Sequence, residues 1–522
     1  MLATVLSATL HGLDGRVIRV EVDVAPGLPG FSIVGLADTA LQEARERVRG
    51  AIRNSGFAYP PRRITVNLAP ADLPKRGASL DLGIAAAILL GSEQVRAAGR
   101  WALVGELSLG GEVRPVPGLL PMVAALARRG VRRVIVPVDA LAEARLVDGI
   151  ESLSAASLGE AMRILRSSSS RRRLPARTAR VEAAEDLAIA PSGSVPAAGS
   201  DPDVPDLADV RGQLEARRAL EIALAGGHGM LLVGPPGAGK TLLARTVPSL
   251  LPPLRDPEAL AATIIDSVAA ERPITGLVRR APFRAPHHTI SYAGMVGGGP
   301  RLAPGEVTMA DHGVLFLDEL PEFDRDVLEA LRQPLEDGRV TIVRAGRAET
   351  FPARFQLIAA MNPCPCGMAG TDRPGCRCKT GVADRYAARI SGPLRDRIDL
   401  WVAMPRVPPA VLMEAARPES SAAVAARIAA ARGRQAARGG RVNARISGRA
   451  LRVACGLDRA AEIRAVDLSE AGALSARATE RLLRVARTIA DLAGADRVEA
   501  SALEEAARFR DPALSLDRRG AA

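Results

Sequence analysis

Aromatic side chains are scarce in this chain of 522 residues and make up only 2% of it. Proteins that hold single-stranded nucleic acid by base stacking need Phe, Tyr or Trp platforms, so the composition argues against binding of that type. Long apolar runs are also missing. The longest, Leu82–Leu90, is far shorter than the roughly 18 residues that a membrane-spanning helix requires. The N-terminus lacks the basic-then-apolar pattern of a signal peptide, so we expect a soluble, cytoplasmic protein with no membrane partner.

Cysteine is rare too, with five in the chain, four of them close together in sequence. This count excludes a disulfide scaffold, and the cluster indicates metal or redox chemistry in a reducing compartment. The charge balance is basic, with 70 Lys and Arg against 58 Asp and Glu. The resulting net charge of +12 favours an anionic partner, either nucleic acid or an acidic membrane surface. Without stacking platforms, nucleic acid would be held through its phosphates and its sequence would hardly be read.

A glycine-rich segment follows the apolar run Met230–Val233, which predicts a buried strand, and precedes a predicted helix. From Gly234 to Thr241 the spacing Gly-x-x-x-x-Gly-Lys-Thr is that of a phosphate-binding loop. Glycines let backbone N–H groups close round phosphate oxygens, Lys240 neutralises the β- and γ-phosphates, and Thr241 places a hydroxyl on Mg²⁺. The predicted nucleotide-binding residues are Gly234, Pro235, Pro236, Gly237, Ala238, Gly239, Lys240 and Thr241.

Two further apolar runs end in polar side chains that suit ATP hydrolysis. Val314–Leu317 leads into a pair of carboxylates. Asp318 would hold hydrated Mg²⁺, and Glu319 would orient and deprotonate the attacking water. Phe355–Met361 ends at Asn362, whose amide can hydrogen-bond the γ-phosphate or that water. We therefore expect an ATPase whose cofactors are ATP and Mg²⁺.

Residues 1–165 alternate predicted strands and helices and form one α/β unit. Pro74–Ser79 resembles the segment that carries the nucleophilic serine of the Lon protease family, and Gly105–Val136 resembles the segment that carries its lysine base. No basic residue stands at Leu120–Met122, where that lysine should fall. A serine without an adjacent base is a weak nucleophile, and Lys75 is the only candidate replacement. The resemblance therefore implies a shared fold that is catalytically degenerate.

Composition and periodicity divide the rest of the chain. Residues 166–205 are rich in Ser, Arg, Pro and Ala and predict a flexible linker. Residues 206–408 hold the nucleotide motifs and predict the ATPase domain, whereas residues 409–522 show helical periodicity. A helical lid of this kind closes over the nucleotide and converts loss of the γ-phosphate into rotation.

Several long motifs support a resemblance to a more specific family. From residue 1 to about 510 the chain resembles AAA+ ATPases of the magnesium-chelatase-like branch, and within it the ComM (YifB-like) family of competence-associated proteins. The motifs are Arg284–Thr289, Gly297–Gly299, Gly313–Phe323, Leu331–Glu336, Asn362–Gly367, Ser475–Ala478 and Val485–Gly494. The resemblance implies an AAA+ P-loop NTPase core with a C-terminal helical lid, preceded by a Lon-protease-like (ribosomal S5-like) α/β domain. It also implies a hexameric ring that works as an ATP-driven DNA helicase promoting branch migration, as in natural transformation and recombination.

The same resemblance assigns further roles. It implies that Asn362 is the first sensor, that Arg397 is the finger acting in trans on a neighbour's nucleotide, and that Arg477 is the second sensor on the lid. Relatives usually carry an aliphatic residue where this chain has Arg395, so either Arg395 or Arg397 could reach the neighbouring subunit. Each could instead be a salt-bridged surface arginine.

Residues 338–351 predict a β-hairpin with Ala345–Arg347 at its turn. In this branch of the superfamily such a hairpin projects into the pore of the ring. Arg344 and Arg347 could then grip DNA phosphates, single-stranded or branched, without reading the sequence. The alternative is an exposed hairpin whose charges only keep the protein soluble.

The clustered cysteines form two Cys-x-Cys pairs nine residues apart, at Cys364, Cys366, Cys376 and Cys378. Four thiolates suit tetrahedral Zn²⁺, which would hold together a loop too irregular to pack by itself. Redox-active thiols and inert cysteines are the alternatives, and the zinc content of the purified protein decides between them. Cys455 stands apart and is expected in the core.

A different class of function also fits an ATPase core, namely the motor subunit of a magnesium-chelatase-type metal insertase. The chain lacks the Asp-x-Ser-x-Ser signature of a metal-binding adhesion module, and its Lon-like front end is foreign to that role. ATPase stimulation by DNA would separate the two functions. An ATP-dependent protease is disfavoured by the missing lysine.

Overall fold

The structure, a computed structural model, describes residues 1–35, 41, 43–71, 73, 75, 77–167, 204–299, 302–344, 347–369, 375–413 and 418–510. The chain divides into two compact units, Met1–Ser194 with Ala259–Val278 and Val195–Glu258 with Arg279–Ala522. The predicted linker at residues 166–205 lies almost wholly outside the described residues. Within the described part, no helix is both long and apolar enough to cross a bilayer.

The first unit is built on a seven-stranded sheet with the strand order β3-β4-β2-β1-β5-β8-β9. The strands of that sheet are β1 (Leu2–His11), β2 (Asp14–Ala25), β3 (Gly30–Val34), β4 (Arg63–Ala69), β5 (Ala102–Leu103), β8 (Arg133–Pro137) and β9 (Glu151–Ala155), and β6 (Glu106–Leu107) pairs separately with β7 (Val113–Arg114). The helices are α1 (Ala44–Asn54), α2 (Asp81–Gly91), α3 (Leu119–Arg128), α4 (Leu141–Ala144) and α5 (Leu158–Arg166). In β2, buried Ile18, Val20 and Val22 alternate with more exposed polar residues, as expected of a strand with one face on the core.

The second unit is built on a parallel five-stranded sheet with the strand order β11-β14-β17-β10-β18. The strands of that sheet are β10 (Met230–Val233), β11 (Phe283–Arg284), β14 (Val314–Leu317), β17 (Gln356–Met361) and β18 (Leu400–Ala403). Two separate pairs are β12 (Gly297–Gly298) with β13 (Ala303–Pro304) and β15 (Arg339–Arg344) with β16 (Arg347–Pro352). β14 and β17 are buried along their whole length, which explains why these sequences are continuously apolar. Because parallel strands end at the same edge of a sheet, the segments that follow β10, β14 and β17 meet there.

Helices make up most of residues 418–510. The helices from residue 214 onwards are α6 (Leu214–Gly226), α7 (Lys240–Arg245), α8 (Val247–Leu250), α9 (Asp256–Ala269), α10 (Tyr292–Val296), α11 (Glu306–Met309), α12 (Arg325–Ala330), α13 (Arg332–Asp337), α14 (Val382–Ala387), α15 (Gly392–Arg395), α16 (Pro409–Leu412), α17 (Ser421–Ala437), α18 (Gly448–Cys455), α19 (Arg459–Ala471), α20 (Ala476–Leu492) and α21 (Ala500–Arg508). α17 and α20 both pack on α6. One apolar cluster runs from Leu232 in β10 to Val485 in α20, so the C-terminal helices share a core with the sheet.

Residues 259–278, most of α9 and the loop after it, belong to the first unit although they come from within the predicted ATPase segment. Ile274 is buried in the same apolar cluster as Leu120 and Met122. The hydroxyl of Ser267 donates to Glu143 Oε1 at 2.5 Å, and the same oxygen accepts the backbone N–H of Leu120 at 2.8 Å. Burial raises the pKa of Glu143, although both hydrogen bonds act in the opposite direction. The position expected for a Lon-type lysine is thus part of an apolar core.

Candidate active site

The predicted phosphate-binding loop connects β10 to α7 at the carboxyl edge of the five-stranded sheet. Gly237 and Gly239 have φ angles of 78° and 90°, a left-handed conformation that residues with a Cβ disfavour. Gly234 is required for another reason, because a Cβ there would lie 2.2 Å from the carbonyl oxygen of Met404. Backbone geometry therefore demands a glycine at all three positions. A loop of this kind can point successive N–H groups at one anion.

Lys240, the first residue of α7, is buried with its ammonium group folded back on the loop. Its Nζ donates to the carbonyl oxygens of Gly234 at 2.6 Å and Pro235 at 3.1 Å, and to Oδ1 of Asn362 at 3.1 Å. Burial lowers the pKa of Lys240, and the nearby carboxylates of Asp318 and Glu319 oppose that effect. The cation therefore sits where a phosphate oxygen could replace a carbonyl oxygen as its partner.

Thr241 and Asp318 lie next to each other although 77 positions separate them in sequence. The hydroxyl of Thr241 donates to Oδ2 of Asp318 at 2.5 Å, and the backbone N–H of Glu319 donates to Oδ1 of Asp318 at 2.9 Å. Hydroxyl and carboxylate oxygens are the hard ligands that Mg²⁺ prefers, and Mg²⁺ keeps several waters as well. This donor set fits a hydrated Mg²⁺ ion bound beside a nucleotide.

Glu319 stands just beyond the end of β14 with a side chain that is 50% exposed. Its φ of 53° is left-handed, which costs a residue with a Cβ about 1–2 kcal/mol. Such strain is typical of functional positions that the surrounding structure holds in place. Oε2 of Glu319 lies 3.4 Å from Nδ1 of His288, whose ring packs against His287 at a centroid distance of 4.1 Å. The sequence drew attention to His287 and His288 within the motif Arg284–Thr289 and favoured hydrogen bonding over metal binding for them, but it did not pair His288 with Glu319.

Asn362 follows β17, the strand between β10 and β14, which explains why its amide reaches Lys240. The chain then turns into the loop that carries the first cysteine pair. Cys364, Cys366, Cys376 and Cys378 converge, with all four sulfur atoms within 4.8 Å of one another. Gly367 in this loop packs against the phosphate-binding loop. With its φ of 76°, a Cβ on Gly367 would lie 2.4 Å from Cδ of Pro236.

The two candidate finger arginines lie at the amino ends of the strands, at the end of the sheet opposite the phosphate-binding loop. β18 begins at Leu400, which pairs with Met230, and the backbone N–H groups of Asp399 and Leu400 both donate to the carbonyl oxygen of Gly229 at 3.0 Å. Arg397 therefore precedes the amino end of the sheet. The phosphate-binding loop of the same chain starts at the other end of β10, and the four residues of that strand span about 13 Å.

Arg395 and Arg397 have different surroundings. The guanidinium of Arg397 forms an ion pair with Glu336 at 2.7 Å and is 32% exposed. The guanidinium of Arg395 lies over the ring of Trp401, 5.0 Å from its centroid. The third predicted arginine, Arg477, is exposed in the first turn of α20.

A buried polar network connects the start of β10 to α20. Nδ1 of His228 lies 2.9 Å from Oδ2 of Asp399, and its Nε2 lies 2.8 Å from the hydroxyl of Thr488. One turn further along α20, Asp491 is paired with Arg438 at 2.5 Å and with Arg487 at 2.8 Å. Sequence reasoning missed this network because its members are brought together only by the packing of α20 and α17.

Replacing Asp491 by Ala is expected to destabilise the second unit by about 3–5 kcal/mol, because it leaves the fully buried guanidinium of Arg487 without its carboxylate. Urea unfolding measures this loss as a lower denaturation midpoint with an unchanged m-value. Glu504→Ala is the control, because both side chains of the Glu504–Arg464 ion pair are exposed and the pair contributes less than about 1 kcal/mol to the free energy of unfolding. Equal losses for the two variants would contradict the structural role of the network.

In the first unit, two side chains of the segment that resembles the Lon serine segment, Ser79 and Lys75, hydrogen-bond to backbone carbonyl oxygens. Ser79 is 4% exposed and its hydroxyl donates to the carbonyl oxygen of Ala8 at 3.0 Å. Lys75 is fully buried, and its ammonium donates to the carbonyl oxygen of Pro70. A buried serine whose hydroxyl donates to a carbonyl is not presented to a substrate, and so this geometry gives no support to protease activity.

β15 and β16 form the predicted hairpin, with Arg344 and Arg347 paired next to its turn. The side chains of these two arginines lie outside what the structure describes. The base of the hairpin is buried at Val340 and Phe351, whereas Val343 near the tip is 71% exposed. The hairpin thus projects from the core of the second unit.

Family models match three consecutive parts of the chain. The model described as magnesium chelatase, subunit ChlI, matches residues 206–412, that of subunit ChlI of Mg-chelatase matches residues 20–140, and that of the ChlI C-terminal part matches residues 418–510.

Relatives of similar length match nearly the whole chain. The protein YifB of Salmonella typhimurium is 42% identical over 512 residues, which cover 98% of this chain and 97% of YifB. Competence protein ComM of Haemophilus influenzae is 41% identical over 514 residues, again 98% of this chain and 97% of ComM. Lon protease of Trichlorobacter lovleyi is 27% identical over a shorter stretch of 132 residues, which covers 24% of this chain and 16% of that protease.

Proposed function

Because this chain belongs to the ComM (YifB-like) family of magnesium-chelatase-like AAA+ proteins, we propose that it hydrolyses ATP with Mg²⁺ and uses the energy to move DNA. The ATPase part of this proposal is supported by one observation: a cation, a hydroxyl–carboxylate pair and an amide converge at the carboxyl ends of the parallel strands. Lys240 contacts Asn362 there, and Thr241 contacts Asp318. These groups come from three different strand ends, and they match the needs of phosphoryl transfer.

Each residue has one task in this proposal. Lys240 and the loop amides bind the phosphates, and Thr241 and Asp318 hold Mg²⁺, which neutralises charge on the β- and γ-phosphate oxygens when bound. Glu319 accepts the proton of the attacking water, and Asn362 orients that water or the γ-phosphate.

Arg397 completes the site of a neighbouring subunit. Its position at the amino ends of the strands keeps it away from the phosphates of its own chain, whereas its partly exposed guanidinium could exchange the ion pair with Glu336 for a phosphate bound by another protomer. A finger that acts in trans requires an oligomer, and a closed hexameric ring is the assembly that we propose.

Arg477 is the second sensor on the helical lid. Arg477 lies in the first turn of α20, where the helix dipole disfavours a positive charge. Binding of an anion such as a phosphate would relieve this unfavourable interaction. In this proposal a phosphate held by Arg477 would couple the nucleotide state to α20, whose apolar face packs in the same core as the sheet.

The DNA half of the proposal depends on the hairpin β15–β16. The hairpin is exposed towards its tip, ends in two arginines, and belongs to a chain with a net charge of +12. The relative named as a competence protein supports a role in handling DNA. We assign the motor to branch migration during transformation or recombination, with contacts to phosphates rather than bases.

The double substitution Arg344→Ala and Arg347→Ala is expected to abolish stimulation of the ATPase by DNA and leave the basal rate unchanged. Turnover is measured with single-stranded, duplex and forked DNA and without DNA. DNA binding should weaken about tenfold or more, and its salt dependence should become shallower because fewer counterions are released. Arg339→Ala, at the base of the same hairpin, is the matched control.

Two outcomes would count against this function. Unchanged DNA binding and unwinding in the double variant would remove the hairpin from the mechanism. A wild-type ATPase that neither binds DNA nor responds to it would instead favour a motor subunit of a magnesium-chelatase-type insertase, the activity after which the matching family models are described.

A further inference from the structure

We infer that Cys364, Cys366, Cys376 and Cys378 form a Zn²⁺ site that holds the loop after Asn362 against the phosphate-binding loop. The four residues come from two short segments, and their sulfur atoms all lie within 4.8 Å of one another. Three of the separations are 3.3 Å, 3.6 Å and 3.9 Å. This inference concerns the nucleotide site and does not depend on what the motor moves.

The separations fit a metal better than a disulfide. Four sulfurs at a Zn–S distance of about 2.3 Å form a tetrahedron with edges of about 3.8 Å. A disulfide would need two sulfurs at about 2.05 Å. Thiolates are soft ligands, so a site of four sulfurs selects Zn²⁺ over the Mg²⁺ of the nucleotide pocket. Binding would release the thiol protons to solvent.

The backbone around the cysteines is arranged to support thiolates. The N–H of Ala369 donates to the sulfur of Cys364 at 3.3 Å, and those of Met368 and Arg377 hydrogen-bond to the sulfur of Cys366. Amide donors of this kind commonly surround metal-bound sulfur and fix the ligand geometry. Lys379, exposed beside Cys378, carries a positive charge that would offset the excess charge of four thiolates around one divalent ion.

The cluster is connected directly to the groups that would contact phosphate. Asn362, which accepts a hydrogen bond from Lys240, is two residues ahead of Cys364. Gly367, directly after Cys366, packs so closely on Pro236 that no side chain fits between them. A metal that fixes the cysteines therefore fixes Asn362 and supports the phosphate-binding loop, whereas loss of the metal frees both.

Metal analysis of the full-length protein tests the site. We expect about one equivalent of Zn²⁺ per chain after purification without chelators. The double variant Cys376→Ser and Cys378→Ser, at the two positions of the second pair, should contain none. Cys455→Ala, which removes a buried cysteine outside the cluster, should keep its zinc. Uptake of Co²⁺ by zinc-stripped wild-type protein, read from the thiolate-to-cobalt absorption, tests the site even if a variant fails to fold.

Nucleotide affinity tests the connection to the phosphate-binding loop. Removal of zinc from the wild-type protein should weaken Mg²⁺–ADP binding about tenfold. Gly367→Ala should weaken it similarly while all zinc is retained, because the added Cβ pushes on Pro236 rather than on the cysteines. Protein that lacks zinc and takes up no Co²⁺ would overturn the site. Full nucleotide affinity in the zinc-free protein would overturn its supporting role.

Discussion

Replacing Glu319 by Gln is expected to lower ATP turnover by about 10²–10⁴-fold while nucleotide binding persists. Glutamine keeps the size of the side chain and its contact with a water molecule, but it cannot accept the proton of that water. Glu319 is suited to this task because Asp318 beside it already has both oxygens engaged, by Thr241 and by the backbone N–H of Glu319. The exposed carboxylate of Glu319 is therefore the one available to a water molecule.

Steady-state ATPase rates and the affinity for a fluorescent ATP analogue measure the two halves of this expectation. Glu322→Gln is the matched control, since Glu322 is a carboxylate on the same turn that pairs with Arg389 at 3.4 Å. It should leave turnover nearly unchanged. A Glu319→Gln variant that turns over normally would assign water activation to another group, with His288 as the first candidate at 3.4 Å from the Glu319 carboxylate.

Replacing Arg397 by Ala is expected to lower turnover by about 10³-fold or more, because the site of the neighbouring subunit loses the cation that stabilises transition-state charge. Arg395→Ala is the control on the same segment. Its guanidinium rests on Trp401, so its removal should cost some local stability and little turnover. The reverse result would make Arg395 the finger and Arg397 a surface arginine that is ion-paired with Glu336.

Mixing two inactive variants decides whether the finger acts in trans. In an equal mixture of Glu319→Gln and Arg397→Ala subunits, about a quarter of the shared pockets combine an intact carboxylate with an intact arginine. The mixture should therefore recover turnover that neither variant shows alone, and size-exclusion chromatography with ATP and DNA should show an assembly. Full turnover by a protein that stays monomeric under those conditions would contradict the shared pocket and the ring.

Zinc content must be matched between variants in both experiments. If the cysteine cluster supports Asn362 and the phosphate-binding loop, preparations that differ in metal content will differ in nucleotide affinity even without a substitution. Rates of variants should therefore be compared at equal zinc content, and nucleotide binding should be measured for each. Loss of turnover at full zinc and full nucleotide affinity then reports on the chemical step.

Local chemistry explains how much of the site could be predicted from the sequence. The order strand, glycine turn, Lys-Thr and helix is a local pattern, and β10, the loop and α7 follow it. The hairpin was predictable for the same reason, although the structure does not describe the side chains of Arg344 and Arg347. The cysteine spacing predicted a cluster, and the structure brings the four sulfurs together.

Contacts between distant segments could not be predicted in this way. No local pattern pairs His288 with Glu319, or His228 with Asp399 and Thr488, because these contacts depend on how strands and helices pack. Nor does the sequence indicate that residues 259–278 join the first unit, since their apolar side chains would suit either core equally well.

By itself the sequence determined which chemical groups this protein has and where the phosphate-binding loop begins and ends, because glycine conformations and short-range periodicity are local properties. Only the tertiary structure decided which of those groups meet. The strand order places β17 between β10 and β14, so Asn362 faces Lys240. The parallel direction of β10 and β18 sends Arg397 to the far edge, away from its own phosphate-binding loop. Strand order and direction follow from burying all apolar faces at once, and that balance involves the whole chain.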